Sequence, residues 1–344
     1  MKVIERRTLL TLALVAMSLQ VVTTAVADPL PGRDVLKFSQ KPLDGRPLFS
    51  ADGTRPRFWG HDELSTAYSQ VTPNGPTPYR GIFMADDFAD KFSTPVVHVK
   101  WWGSYLNNFV NPALPVDKFL ISFERDVPAS TANPFSRPGE PLLNQIVKRG
   151  PLAPGSGTFT EKPISGGGPP LNETLYEYNA ELHLDKAFFQ DPNTVYWLKI
   201  VAMVDVPAGI NLDPANPPTF VTRWGWHNRD YWVQNPLASP AVEPGEEPAA
   251  LDIENGFIWH FQDDAVTVRV AIDHLSTPMG SIMPRVEQGE FRPTRYVGGV
   301  DGFPYIADFS KDLAFELFTV PEPAAFMLIA ISLASVAVPR RRTA

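Results

Sequence analysis

The alternation of apolar and polar positions along the chain describes a succession of short strands with little helical period. In VVHVKWWGSY, residues 96–105, Val97, Val99, Trp101 and Tyr105 fall on one side, with Val96, His98, Lys100 and Trp102 on the other. That is the two-residue period of a pleated strand. LYEYNAELHL, residues 175–184, sends Tyr176, Tyr178, Ala180, Leu182 and Leu184 one way and Glu177, Asn179, Glu181 and His183 the other. It predicts a strand with one buried and one wet face. KFLISFERDV groups Phe119, Ile121 and Phe123, whereas TVYWLKIVAMVDV is apolar on nearly every residue and predicts a central strand covered on both sides. GFIWHFQ, AVTVRVAI and DLAFELFTV complete the series. Many strands and few helices predict an all-β domain, with antiparallel sheets packed face to face in a jelly-roll-like β-sandwich.

Three Pro/Gly-rich stretches, 127–170, 206–220 and 235–251, interrupt this pattern. They read as long loops, which in a compact domain are usually functional or mobile. The strands on either side share one aromatic-rich style, so residues 28–319 read as one domain.

Both ends depart from the strand pattern. At the front, Lys2, Arg6 and Arg7 precede an apolar run and then Ala25, Val26 and Ala27. A positive head, an apolar middle and small residues at a cleavage point predict a signal peptide over 1–27, cut by signal peptidase before Asp28. The alternative is a retained N-terminal anchor. At the back, the apolar segment 324–338 has 15 residues, against the roughly 20 that a spanning helix needs. Arg340, Arg341 and Arg342 follow it, and such charge stays on the cytoplasmic side. Export of the body and retention of the arginines describe a single topology.

Val320, Pro321, Glu322 and Pro323, the short apolar segment and the basic cluster together resemble the PEP-CTERM sorting signal of Gram-negative bacteria. The resemblance implies that residues 320–344 are a sorting signal presented to a membrane-embedded exosortase. Removal of the helix would then deliver the body to the cell envelope surface or extracellular matrix. An ordinary anchor helix that is never cut is the plainer alternative. Within the body, MADDF at 84–88, WWGSY at 101–105, YWLKI at 196–200, WGW at 224–226, DDAV at 263–266 and DLAFELFT at 312–319 resemble an uncharacterised β-sandwich domain. That domain is seen in secreted, sorted proteins of environmental bacteria such as planctomycetes. The resemblance implies fold and location and carries no activity.

Composition narrows the partners. The chain has no cysteine, which removes disulfides and thiolate metal sites. Its net charge is −8, and several basic residues lie in the terminal segments. The body is therefore more acidic than the whole, which argues against nucleic acid or an anionic membrane surface as partner. The membrane enters only through the C-terminal helix before processing.

The familiar catalytic spellings are absent: no G-x-S-x-G, H-E-x-x-H, phosphate loop or G-x-G-x-x-G occurs. His61, His98, His183, His227, His260 and His274 lack paired metal-ligand spacing and read as ordinary surface or core residues. Asp87, Asp264 and Asp312 sit at strand ends, where they would either hold a structural calcium ion or bond local turn amides. In WGWHNRDYW, Trp226, Asn228, Asp230 and Trp232 would form a stacking platform for a sugar if exposed, or part of the core if not. A pair of carboxylates suited to glycoside hydrolysis cannot be recognised from sequence. The expectation is an exported, sorted surface or matrix protein with a binding or structural role, more than an enzyme. The alternative is a carbohydrate-binding or glycan-processing protein on the same fold, with extracellular polysaccharide as partner.

Overall fold

The structure is a computed structural model. It describes residues 34–42, 62–90, 92–128, 130–131, 136–165, 174–183, 187–192, 194–213, 217–228 and 312–320, together with the backbone of five short strands between 250 and 293. The strands in chain order begin with β1 (Val35–Gln40), β2 (Asp62–Leu64), β3 (Thr66–Thr72), β4 (Gly75–Pro76), β5 (Tyr79–Phe88) and β6 (His98–Tyr105). They continue with β7 (Lys118–Val127), β8 (Arg137–Arg149), β9 (Thr158–Ser165), β10 (Leu175–Glu181), β11 (Tyr196–Val206) and β12 (Trp224–His227). The last are β13 (Ala250–Asp252), β14 (Phe257–Trp259), β15 (Val266–Asp273), β16 (Arg285–Gln288), β17 (Arg292–Pro293) and β18 (Phe315–Thr319). Among the described residues the only helical element is a 3-10 turn at Leu106–Asn108, so none is long and apolar enough to cross a membrane.

All but β13 and β14 belong to one hydrogen-bonded sheet, whose main path is β1-β18-β6-β10-β9-β8-β7-β11-β3-β5-β15-β16. Pairing is antiparallel except at β3–β11 and β8–β9. The all-β expectation holds, but the pairing is continuous and mixed where separate antiparallel sheets were expected. The β8–β9 step explains the continuity. It consists of Lys148 opposite Thr158 and Arg149 opposite Phe159, across the connection 150–157, in which Gly155 and Gly157 have φ of 69° and 65°. Glycine adopts that left-handed backbone without steric cost.

The main core gathers side chains from both halves of this path. Phe119 of β7 lies 5.2 Å from Trp101 of β6, 4.9 Å from Trp224 of β12 and 5.0 Å from Phe159 of β9, ring centre to ring centre. Trp101 stacks on Tyr178 at 5.3 Å. Edge-to-face and offset-stacked pairs of this kind stabilise beyond the area they bury, by about 0.5–1.5 kcal/mol each. The central-strand expectation for β11 is met. Leu198, Ile200, Ala202 and Val204 enter the main core, while Val201 and Met203 pack with Ala67, Tyr79, Phe83 and Leu120 on the other face.

Two local expectations are corrected. The stretch 127–170 is not one long loop, because it contains β8 and β9. Its prolines hid them. Pro138 and Pro141 stand beside register shifts in the β7–β8 ladder, where proline's missing N–H and fixed φ are tolerated. Val96, assigned by alternation to the face of His98, Lys100 and Trp102, is buried in the main core with Val99 and Trp101. It precedes the strand and forms an isolated bridge with Phe188, so the strand's period does not apply to it.

Candidate functional site

The face of the β18-β6-β10 segment opposite the main core carries a ladder of charge. Its central strand presents His98, Lys100 and Trp102, opposite Glu181, Asn179 and Glu177 of β10. The wet face expected for β10 is corrected, because Asn179 and Glu181 are buried and Glu177 is partly so. Lys100 Nζ lies 3.9 Å from both Glu177 and Glu316. At the end of the ladder, cross-strand register aligns Leu36, Phe318, His98 and Glu181 in one row over four strands. Asp34, immediately before β1, brings a second carboxylate to the same place.

Here His98 Nδ1 is 3.0 Å from Glu181 Oε1 and 3.9 Å from Asp34 Oδ2, with all three side chains fully buried. One ligand atom from each of Asp34, His98 and Glu181 lies within 4.8 Å of the others. Among the described residues no other group of three or more His, Asp or Glu side chains converges so closely. The second imidazole nitrogen, Nε2, is 3.0 Å from Asn179 Oδ1, while Asn179 Nδ2 donates to Glu177 Oε1 at 3.3 Å. The Phe318 ring stands edge-on to the imidazole at 5.3 Å and closes one side.

A second buried polar group lies between β1 and the segment after β5. Lys37 Nζ donates to Gln190 Oε1 at 3.0 Å, Gln190 Nε2 donates to Asp90 Oδ2 at 2.7 Å, and Lys37 is 3.8 Å from Asp90. Burial lowers the Lys37 ammonium to about 8 against the opposing pull of Asp90. Burial likewise raises Asp90 to about 6, against Lys37 and the amides that bond it. On the second face of β11, Lys199 pairs with Glu124 and lies over the Phe83 ring, and burial lowers its ammonium to about 8. These pairs link distant segments and have no open face, so they fit a structural role.

Asp62 accepts from both Ser104 Oγ and the His227 ring. The carboxylate thus stands between the hydroxyl and the imidazole. Nucleophile activation needs the base bonded directly to the hydroxyl, and this order does not provide it.

The residues singled out in the sequence fall as follows. Trp226 is fully buried and its indole N–H donates to Ala314 O at 2.9 Å. It is a core residue with no face open to a sugar, which corrects its place in the platform. Asn228 is buried too, in an isolated bridge with Leu313. Asp230 and Trp232 lie outside the described residues. Asp87 and Asp312 are both buried, and Asp264 lies outside the described residues. It is the neighbouring Asp86, on the core face of β5, whose Oδ2 accepts from the Leu313 amide at 2.7 Å. Val320 follows β18 directly; Ala25, Ala27, Pro321, Glu322, Pro323, Arg340, Arg341 and Arg342 lie outside the described residues.

Sequence reasoning missed the grouping of Asp34, His98 and Glu181. The available signal was a polar residue on the outer face near the end of each of two strands, His98 and Glu181. Strand register, absent from the sequence, is what sets them opposite each other.

No curated protein and no solved structure matches the chain significantly. A family model described as a domain of unknown function, DUF7901, matches residues 36–269. That span starts at β1 and ends within β15, and it includes His98 and Glu181. Covering well over half of the chain, it shows that the protein belongs to the DUF7901 family.

Proposed function

We propose that this protein is exported and sorted to the cell envelope surface or extracellular matrix, where its β body serves a binding or structural role. The observation that carries the reading is the pairing of β1 with β18, which sets Val35 opposite Thr319. Residues 1–27 and 320–344, with their signal-peptide and PEP-CTERM-like patterns, therefore flank a body whose two ends meet at one edge. A leader and a tail attached there can be removed without cutting through the sheet. The ring contacts across the main core favour a sandwich-like packing of the folded sheet, in keeping with the proposed secreted domain type.

The buried tryptophans support a structural role over a carbohydrate platform. Trp101, Trp102, Trp197, Trp224 and Trp226 are all at most 5% exposed. Stacking on a sugar requires an accessible ring face.

Mass spectrometry of the native, surface-associated protein tests the sorting proposal. The expected species begins at Asp28 and ends near Pro321–Pro323. Recovery of an intact C-terminal peptide through Arg342 as the main species would overturn processing, and recovery of the protein in the cytoplasm would overturn export.

A further inference from the structure

We propose that Asp34, His98 and Glu181 bind a divalent transition-metal ion of the zinc class, clamping β1 to the sheet at the edge where both ends of the chain leave it. Asn179 Nδ2 is directed to Glu177 Oε1, which turns its carbonyl oxygen toward His98 Nε2 at 3.0 Å. A carbonyl oxygen only accepts, so Nε2 carries the hydrogen and donates it. That makes Nδ1 the nitrogen turned to the carboxylates: it is hydrogen-bonded to Glu181 Oε1 at 3.0 Å and lies 3.9 Å from Asp34 Oδ2.

These three buried atoms converge within 4.8 Å of one another, and a divalent ion that takes the place of the Nδ1 proton would bind all three at once. The separations also fit in size. Zinc–nitrogen and zinc–oxygen bonds of about 2.0 Å at a tetrahedral angle put neighbouring donor atoms about 3.3 Å apart. The observed separations bracket that value. The imidazole excludes hard oxygen-seeking ions as first choice, because calcium and magnesium select all-oxygen sets. The Nε2–H to Asn179 bond is what a metal-bound histidine needs to hold its tautomer and ring plane.

The three ligands come from the start of β1, the start of β6 and the end of β10, with β18 running between β1 and β6. One ion would therefore tie together strands separated widely in the chain. It would secure β1, the last strand on its side of the pairing order, next to β18 and the C-terminal tail. This is distinct from the calcium expectation at Asp87, Asp264 and Asp312 in residues, place and ion.

The test uses the full chain, stripped with chelator and dialysed against Zn2+ or Co2+. One tightly held ion per chain is expected, with visible Co2+ absorption of tetrahedral or five-coordinate strength. His98→Gln and Glu181→Gln should each weaken Zn2+ retention at least 100-fold. Asn179→Leu, which removes the tautomer-setting acceptor, should weaken it 10–100-fold. Proteolysis near residue 34 should slow about tenfold with Zn2+ bound. Should a variant fail to fold, the wild-type Co2+ spectrum and dialysis stoichiometry decide alone. Folded wild-type protein holding less than one-tenth equivalent of Zn2+ would overturn the proposal and leave His98 as an imidazolium paired with the carboxylates. Retention of Ca2+ in preference to Zn2+, or a Co2+ spectrum unaltered in folded His98→Gln, would overturn it as well.

Discussion

Val35 and Thr319 stand opposite each other across the antiparallel β1–β18 ladder, so the body of the chain closes on itself at one edge of the sheet. Among the described residues the ladder ends at Val35 and Thr319, and β18 itself is buried and pairs on both sides. Deleting residues 321–344 should leave the denaturation midpoint unchanged. Leu317→Ala, in the middle of β18 and fully buried, should cost about 2–5 kcal/mol through lost burial and a residual cavity. Urea denaturation of the two variants makes the comparison; equal destabilisation would contradict the place of β18 in the core.

The tryptophans of β12 supply a second prediction. Trp224 and Trp226 are both fully buried, with indole N–H groups bonded to Tyr178 Oη at 3.0 Å and Ala314 O at 2.9 Å. Trp224→Ala or Trp226→Ala should lose about 3–5 kcal/mol of stability. Retention of the wild-type protein on a polysaccharide column, abolished in a fully stable Trp226→Ala, would reverse the core assignment.

Gly103 marks a close approach of β12 to β6. A Cβ built there would lie 2.4 Å from Gly225 O and 2.4 Å from Trp224 Cζ2. One of these is backbone and the other belongs to a packed ring, so neither can yield cheaply. Gly103→Ala should destabilise by at least about 1–3 kcal/mol. A melting temperature equal to wild type would show that β12 can move away from β6.

The Lys37 and Asp90 pair predicts a stability profile with opposite slopes on its two sides. Asp90 titrates near 6 in the folded protein against 3.8 unfolded. The folded state holds the extra proton between those values, so this contribution is present in full below 3.8 and is lost as pH rises through 6. Lys37 titrates near 8 folded against 10.5 unfolded. There the unfolded chain holds the extra proton, so stability rises with pH between 8 and 10.5. Subtracting the pH–stability curve of Lys37→Met/Asp90→Asn should isolate both slopes. A flat difference curve would show that the two groups titrate alike folded and unfolded.

Lys199 and Glu124, both fully buried and paired, make a sharper case of buried charge. Glu124→Gln should cost about 3–5 kcal/mol by leaving the lysine without its counter-charge. Lys199→Met/Glu124→Leu should be neutral or more stable than wild type, because neither charge then needs desolvation. Guanidinium denaturation at pH 7 separates the outcomes. A double variant as unstable as Glu124→Gln would mean that the pair contributes more than it costs.

The sequence by itself determined many of the strands and which way their side chains alternate, because steric pleating imposes a period of two on any strand wherever it lies. The opposite faces of Trp101 and Tyr178 and of Glu177, Asn179 and Glu181 were legible for that reason, although Asn179 and Glu181 are buried where a wet face was expected, and β11 announced its double burial by the near-absence of polar residues. The patterns at the two ends were legible in the same local sense. Tertiary structure alone decided what pairs with what. That β8 and β9 exist within a proline-rich stretch depended on bulges that let the ladder pass Pro138 and Pro141, and these take shape only against β7. That Trp226 is core depended on β12 being laid between β2 and β6, a contact to which the residues around it in the chain contribute nothing. The grouping of Asp34, His98 and Glu181 depended on strand register, since a shift of one residue in either ladder would turn a ligand to the opposite face. Alternation is a property of neighbouring residues, whereas register is settled by the free energy of burying one particular set of rings together.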